Sequence, residues 1–168
     1  MSASDGSLRL AERGEGGEYF LDELSGPFRV EGDLLDPRFP QFPHLYHIRT
    51  LELCDQERDR IYQARGLTPG TLMEDDLVLV TKSYKDIDFS ILVPEGVTIH
   101  IRTHLSSMGG ATIWARHEVV SGDDPQSPDA PVVASIKCKL GIAKQNPDTL
   151  TLRPARLPLA YLNRFLGH

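Results

Sequence analysis

The sequence predicts an α+β domain, with one long helix followed by an antiparallel sheet. Apolar residues recur every three or four positions from Pro43 to Arg65, as they do on one face of a helix. Beyond residue 76 they alternate with polar residues, as they do in half-buried strands. A helix that precedes several antiparallel strands is buried most simply when the sheet wraps round it.

The predicted helix runs from Pro43 to Arg65. Pro43 fits the first turn, where a missing N–H is harmless, and Gly66 supplies a residue that tolerates positive φ at the other end. The first half of the helix is apolar and the segment DQERDR is almost wholly charged, so we expect the N-terminal half to enter the core. The helical spacing is defined by Leu45, Ile48, Leu51, Cys54, Ile61 and Tyr62.

The strands are predicted from alternation with a period of two. VTIHIRTHL (97–105) and ATIWARHEVV (111–120) form an antiparallel hairpin around the turn SSMGG, and VVASIKCKLGIA (132–143) is a further strand with one wet face. EYFLDEL and PFRVEGDLL have no clean periodicity and remain unassigned. The other predicted elements are the strands LVLVTKSY, FSILV and TLTLRP and the short terminal helix LPLAYLNRFLG.

Length and charge limit the domain count and the kind of partner. The 168 residues suit one domain, which we place at 18–168 after a lead at 1–17 whose Ser, Gly and charged residues predict disorder. Residues 1–37 hold nine acidic and three basic side chains, whereas 38–168 hold fifteen of each. A neutral body without a Lys/Arg cluster in its sequence lacks the signature of a nucleic-acid-binding protein.

The chain shows no sign of export, membrane insertion or disulfide bonding. It has neither a signal-peptide pattern nor a stretch approaching the ~18 apolar residues of a membrane span, so we expect a cytoplasmic protein. Cys54 and Cys138 are too few for a disulfide framework. Both are predicted to be reduced residues of the core.

Several motifs resemble one branch of the hotdog-fold acyl-thioester enzymes. HLYH (44–47) and ERDRIYQARGL (57–67) resemble the 4-hydroxybenzoyl-CoA thioesterase-like group, and Asp36 with Pro37 resembles the Asp-Pro that bears the catalytic carboxylate in some members. The resemblance extends over residues 18–166. It implies a hotdog fold, in which an antiparallel sheet wraps one long central helix, and it implies hydrolysis of an acyl thioester.

A second branch contributes a different loop motif. RFPQFP (38–43), followed by Glu52 and Gln56, resembles the 3-hydroxyacyl-ACP dehydratase group in spacing. Arg38 stands where that group has its catalytic histidine, and an arginine cannot act as a general base at pH 7. The resemblance therefore favours hydrolysis. A dehydratase or hydratase and a non-catalytic thioester-binding protein of the same fold are the alternatives.

Thioester hydrolysis requires an oxyanion donor and a group that attacks the carbonyl or activates water. The free N–H groups at the helix N-terminus are suited to the first task. The resemblance points to Asp36, or to Glu52 reaching the site of a neighbouring subunit, for the second. His44 is a third catalytic candidate. Simpler roles also fit: Asp36 as a turn residue before proline, Glu52 as a surface carboxylate and His44 as a capping residue.

The predicted substrate-binding residues are Phe42, Tyr46, His47 and Arg58. The aromatic rings also suit plain core, and Arg58 also suits a solvated ion pair with Asp55 or Asp59. The expected substrate is a thioester of coenzyme A or of an acyl carrier protein, and the expected assembly is a homodimer or homotetramer, because a lone hotdog unit exposes its sheet edges.

No metal and no cofactor are predicted. The alternative is a three-histidine metal site formed by His100, His104 and His117 if the hairpin closes around Met108 and Gly109. The sequence contains neither HExxH nor CxxC, which are the short motifs that would support it.

Overall fold

The computed structural model of the protein describes residues 7–11, 18–107 and 110–166. A 3-10 turn at Gly32–Leu34 precedes the first helix. The strands and helices, in chain order, are β1 (Ser7–Ala11), β2 (Glu18–Arg29), α1 (His47–Ala64), α2 (Pro69–Met73), β3 (Leu77–Asp88), β4 (Thr98–Ser106), β5 (Thr112–Ser121), β6 (Val132–Gln145), β7 (Leu152–Pro154) and α3 (Leu159–Leu166).

The strands form one antiparallel sheet in the order β1-β2-β4-β5-β6-β3, and β7 pairs with the end of β6. Leu105 lies opposite Ala115, so β4 and β5 form the predicted hairpin, although Met108 and Gly109 of its turn lie outside the described residues. Among the described strands, β3 pairs with β6 alone and forms an edge of the sheet. The α+β class predicted from the sequence is confirmed.

Three segments differ from the prediction. The two unassigned segments near the N-terminus contribute to one strand, β2, whose pairing with β4 is irregular between Ser25 and Phe28. FSILV is not a strand. The N–H groups of Ser90 and Ile91 both donate to the carbonyl of Val133, whereas consecutive residues of a strand point their N–H groups in opposite directions. Residues 7–11 of the lead, for which composition predicts disorder, form β1, and its other residues lie outside the described part of the chain.

Helix α1 begins at His47 and not at Pro43, so the predicted start is wrong by one turn. The residues before it are engaged in extended pairing: the N–H of Leu45 donates to the carbonyl of Val93 at 2.8 Å, and Tyr46 has β-region dihedral angles. These long-range bonds leave no backbone free to begin the helix earlier. The predicted end is close to the observed one, since Gly66 follows α1 with a φ of +84°.

The core contains residues from both halves of α1. Cys54 packs in a buried cluster with Ile99, Ile101 and Ile136 of the sheet. Ile61 and Tyr62 belong to a second cluster that includes Phe165 of α3, as well as Leu105 and Ile113 of the sheet. One face of the sheet therefore buries the apolar stripe of the helix.

Both cysteines are buried and free, as predicted. Within the described residues, we find no helix that is both long and apolar enough to cross a membrane.

We expect Gly66→Ala to lower the free energy of unfolding by about 1–2 kcal/mol, since an L side chain is strained at this positive φ. Gly70→Ala is the matched control: it lies in α2, and a Cβ there would meet no atom within 4 Å. An alanine in a helix is favoured over glycine by about 0.5–1 kcal/mol. Urea unfolding measures the free energy of unfolding of both variants. An equal change in Gly66→Ala and Gly70→Ala would contradict the assigned helix end.

Candidate functional site

The loop before α1 is closed at its base by backbone pairing. The N–H of Asp36 donates to the carbonyl of His44 at 2.9 Å, and the N–H of Tyr46 donates to the carbonyl of Leu34 at 2.7 Å. We call this paired base, residues 34–36 with 44–46, the neck. It places Asp36 and His44 next to each other, directly before the first turn of the helix.

The carboxylate of Asp36 is buried, with 3% of the residue exposed, and is held by Arg38. The guanidinium donates from Nε to Oδ1 at 2.9 Å and from Nη2 to Oδ2 at 2.7 Å, while the backbone N–H of Arg38 donates to Oδ1 at 3.0 Å. These hydrogen bonds from Arg38 lower the pKa of Asp36 to about 2. The carboxylate is therefore ionised at neutral pH.

Arg38 is itself positioned by two aromatic rings. Its guanidinium carbon lies 5.5 Å from the ring centroid of Phe39 and 5.2 Å from that of Tyr46, distances at which a cation is attracted to a ring face. The Arg38 side chain is nevertheless 56% exposed. The clamp on Asp36 is thus open to solvent on one side.

His44 faces the same carboxylate. Its Nδ1 lies 2.8 Å from the carbonyl oxygen of Phe42, and because a carbonyl only accepts, Nδ1 must carry a proton. Its Nε2 lies 3.7 Å from Oδ2 of Asp36. The anchored Nδ1–H orients the ring so that Nε2 is available for proton transfer beside Asp36.

The N-terminus of α1 has free donors. Tyr46, the N-cap residue, makes no capping side-chain hydrogen bond, and the first helical bond runs from the N–H of Thr50 to the carbonyl of Tyr46 at 2.9 Å. The N–H groups of residues 47–49 therefore have no acceptor within the helix. Together with the positive end of the helix dipole, they can polarise a carbonyl.

A cleft of about 390 Å³ opens beside this helix start. His44, His47 and Thr50 line it from the neck and from α1, and the segment that follows β3 contributes Phe89, Ile91 and Leu92. The last two are 51% and 53% exposed. The cleft thus combines polar groups at the helix start with an unusually exposed apolar wall.

The structure brings Asp36, His44, Tyr46 and His47 together at this place, with Phe42 beside them. The ring of Phe42 is 56% exposed and lies 5.6 Å from that of His44. The ring of His47 meets Tyr46 and Phe89 edge-on, at 5.2 and 5.8 Å. The specific roles assigned to these residues from the sequence stay predictions.

Glu52 lies away from this group. Its side chain is 48% exposed and pairs with Arg49, which also donates to the carbonyl of Asp33 at 3.2 Å. Within one chain this carboxylate faces solvent. A role at the site of a neighbouring subunit stays a prediction.

Arg58 is buried in the core, eleven residues beyond His47 and so about 16 Å further along the helix axis. Its Nη2 donates to Asp55 at 2.9 Å, and its Nη1 lies 3.5 Å from Nε2 of His117. The predicted alternative was a solvated ion pair with Asp55 or Asp59: the pair with Asp55 is present, but the prediction that it is solvated is wrong, because the guanidinium is buried.

This buried pair belongs to a chain of polar contacts that crosses the core. The hydroxyl of Tyr84 on β3 donates to Asp55 at 2.7 Å, and Nδ1 of His117 lies 2.9 Å from the hydroxyl of Thr103. Burial, with Arg58 nearby, lowers the pKa of His117 to about 3, so its ring is neutral at pH 7. This series of polar contacts connects the edge strand β3 to α1, β5 and β4.

Arg38 is the residue whose role sequence reasoning missed. The sequence comparison shows Arg38 only in the place of a catalytic histidine, whereas in the structure it is the partner of Asp36. A usable signal was present in Asp36-Pro37-Arg38, because an Asp side chain often accepts from the backbone N–H two residues later. That turn aims the side chain of Arg38 back at the carboxylate.

The three-histidine metal site is not formed. His117 is fully buried opposite Thr103, whereas His100 and His104 lie opposite Val120 and Arg116, on the other face of the sheet. No group of three or more His, Cys, Asp or Glu side chains within the described residues could hold a metal ion.

No protein-family model matches the chain, and no curated protein matches it. Solved structures do. The 4-hydroxybenzoyl-CoA thioesterase from Pseudomonas sp. strain CBS-3 is 17% identical, with a TM-score of 0.61 over 88% of this chain and 98% of that one. The 1,4-dihydroxy-2-naphthoyl-CoA thioesterase from Synechocystis is 14% identical, with a TM-score of 0.63 over 90% and 99%.

This chain has the hotdog fold. The structure of a dynemicin thioesterase is similar too, with 17% identity and a TM-score of 0.62. The match covers 89% of the present chain and 95% of the dynemicin thioesterase. At identities this low the similarity shows the fold and leaves the reaction to be argued from the site.

The depressed pKa of Asp36 makes a prediction about stability. Its folded value of about 2 lies below the ordinary value of 3.8, so the stabilisation is fully present above about pH 4 and is lost as pH falls towards 2. Asp36→Asn should therefore be less stable than wild type at pH 6, and the difference should shrink between pH 4 and 2. Denaturant unfolding across this range measures it.

Asp33→Asn is the control, because the Asp33 side chain is 94% exposed and its ion pair with Arg49 is long, at 3.7 Å. It should change stability little at any pH. A pH-independent difference for Asp36→Asn would show that the Arg38 clamp does not stabilise the fold.

Proposed function

We propose that this hotdog chain hydrolyses an acyl thioester, carried on coenzyme A or an acyl carrier protein, to a free acid and a thiol. The observation that supports this best is the buried, ionised carboxylate of Asp36 at the start of α1, where backbone N–H groups are free. A nucleophile and an oxyanion donor are the two parts that acyl transfer requires.

In this proposal the thioester carbonyl lies against the first turn of α1. The N–H groups of residues 47–49 stabilise the oxyanion as it forms. Asp36 attacks the carbonyl carbon, because a carboxylate with a pKa of about 2 is always ionised but is a weak general base. Attack forms a mixed anhydride and expels the thiolate. Nε2 of His44 takes a proton from a water molecule, which cleaves the anhydride to the free acid and restores Asp36, and the proton then passes from His44 to the thiolate.

Arg38 must loosen its hold for this attack to occur. While both carboxylate oxygens accept from the guanidinium, neither is free to reach a carbonyl carbon. Since the Arg38 side chain is 56% exposed, it can swing into solvent without leaving a cavity in the core. We propose that substrate binding displaces it from at least one oxygen.

A second copy of the chain is part of the proposal. β3 is a twelve-residue edge strand with Val80, Tyr84 and Ile87 at 39–44% exposure, and it leads directly to the exposed wall of the cleft. A long, exposed apolar edge is a template for strand pairing, so we infer a homodimer or a dimer of dimers. Glu52 would then be available to a neighbouring site. We also infer that the sheet wraps α1, which agrees with the core clusters on both halves of the helix.

We expect Asp36→Asn to lower kcat/KM for acyl-thioester hydrolysis by at least about 100-fold, because the nucleophile is lost. Asp33→Asn, three residues away and exposed, should stay within about twofold of wild type. Thiol release from a panel of acyl-CoA and acyl-carrier-protein thioesters measures the rate, and product masses are recorded in the same run.

The same run separates the alternatives. A change of one water in mass without thiol release would assign a dehydratase or hydratase, and binding without either change would assign a thioester-binding protein. If Glu52→Gln abolishes hydrolysis while Asp36→Asn does not, the catalytic carboxylate is wrongly assigned.

Val80→Asp should dissociate the proposed assembly, because it places a charge on the edge of β3. Sedimentation velocity at micromolar concentration should then show a monomer. The thiol-release assay should show reduced thioesterase activity for the same variant. Leu150→Asp, at a position that is 68% exposed away from β3, is the control and should keep the wild-type mass. A wild-type monomer would contradict the inferred dimer.

A further inference from the structure

Four basic residues form a row across the outer face of the sheet, the face opposite α1. His104 on β4 lies opposite Arg116 on β5, Arg116 lies opposite Lys137 on β6, and Lys137 lies opposite Lys85 on β3. Residues directly opposite on neighbouring strands share a face and are close enough to interact. The fold thus lines up four basic side chains that are far apart in the sequence.

Trp114 lies beside this row, two positions before Arg116 and opposite Lys139. The ammonium groups of Lys85, Lys137 and Lys139 lie 5.4, 4.8 and 5.6 Å from its ring centroid. We call this surface, made of Trp114, Lys85, Arg116, Lys137 and Lys139, the Trp114 face. Three cations around one indole ring concentrate positive charge on a flat, partly exposed surface.

Among the described residues, no carboxylate forms an ion pair with Lys85, Arg116, Lys137 or Lys139. His104, at the end of the row, pairs with Asp22, and the neighbouring Arg102 and Glu118 pair with each other. Like charges directly opposite on neighbouring strands are destabilising. An external anion would relieve this repulsion, and the positive field would attract it.

The shape of the face indicates which anion. The row crosses four strands, or about 14 Å at about 4.8 Å per interval. A single phosphate group is usually bound in a concave nest, whereas the Trp114 face extends over three neighbouring strands, with Arg116 at the wall of a cleft of about 690 Å³. Several carboxylates spread over a protein surface match its width, and Trp and Arg are residue types enriched at protein–protein interfaces.

The face also lies close to the cleft along the chain. Lys85 is four residues before Phe89, which lines the cleft, and four extended residues span at most about 14 Å. The pairing of β3 with β6 ends at Asp88, so the chain passes from the Trp114 face to the cleft at the end of the strand. A flexible arm anchored at the face could follow the same route.

We propose that the Trp114 face docks the acidic surface of an acyl carrier protein, which delivers the thioester to the cleft. This proposal rests on the proposed thioester hydrolysis and selects the carrier protein over coenzyme A as the donor. The lysines attract and bind the acidic carrier protein. The flexible prosthetic group of the carrier then carries the acyl group round the end of β3 to α1.

The first test uses fluorescence, because Trp114 is the one tryptophan of the sequence. Titrating the full chain with an acidic holo acyl carrier protein should change the emission saturably, and the apparent Kd should rise at least about tenfold between 50 and 300 mM salt. Lys137→Glu/Lys139→Glu should weaken binding at least about tenfold. Arg153→Glu on β7 makes the same kind of charge change elsewhere on the sheet and should not weaken it.

The second test compares two donors of one acyl group, the carrier protein and N-acetylcysteamine. The double variant should lose at least about tenfold in kcat/KM for the carrier-linked substrate and keep wild-type turnover of the small thioester. Circular dichroism checks that the double variant folds. Lys85→Glu, a single charge change on the same face, should lower kcat/KM for the carrier-linked substrate by less than the double variant does. Hydrolysis of neither donor by wild type would refute the proposed function, whereas the fluorescence titration tests docking independently.

Three results would overturn the docking proposal. One is no carrier binding at low salt by either fluorescence or calorimetry. A second is equal loss of binding in Arg153→Glu, which would show a non-specific charge effect. The third is tighter binding of free coenzyme A or of a single-stranded oligonucleotide than of the carrier protein, which would assign the face to a nucleotide or a nucleic acid.

Discussion

The backbone pairing at the neck is the constraint on which the candidate site depends. Two hydrogen bonds between residues 34–36 and 44–46 fix where α1 begins, and they leave the N–H groups of its first turn without capping acceptors. The same bonds set the carboxylate of Asp36 beside the imidazole of His44. The proposed nucleophile, proton carrier and oxyanion donors therefore derive their relative positions from one short piece of extended chain, and not from the helix or the sheet separately.

Local signals in the sequence predicted the elements whose ends are set locally. Gly66 marked the end of α1, and strict alternation marked β4, β5 and β6. The start of α1 could not be found in this way, because the carbonyl that accepts from Leu45 belongs to Val93, almost fifty residues later. The apolar residues of FSILV predict a strand but line the cleft, because an apolar run suits either place.

The site was predictable in part for the same reason. Asp36 and His44 flank one loop, so the sequence could place both near the helix start. Arg58, in contrast, stands among charged residues in the sequence, which indicates a solvated position, and its contact with His117 depends on how β5 lies against the helix. The row from His104 to Lys85 depends on the register of four strands, and a chain with balanced charge gives no hint of it.

The closed neck also bears on how such a site could change over time. Residues 37–43 leave the neck and return to it, and from within this loop Arg38 and the carbonyl of Phe42 hold Asp36 and His44. The side chain of Phe42 can therefore vary while Asp36, His44 and the first turn of α1 stay where they are. The ring of Phe42 is 56% exposed, whereas that of Phe39 lies against the guanidinium of Arg38. The proposed catalytic geometry and the predicted acyl-contacting ring of Phe42 are thus separable by mutation, which makes Phe42 a natural place to redesign acyl preference without disturbing the proposed chemistry.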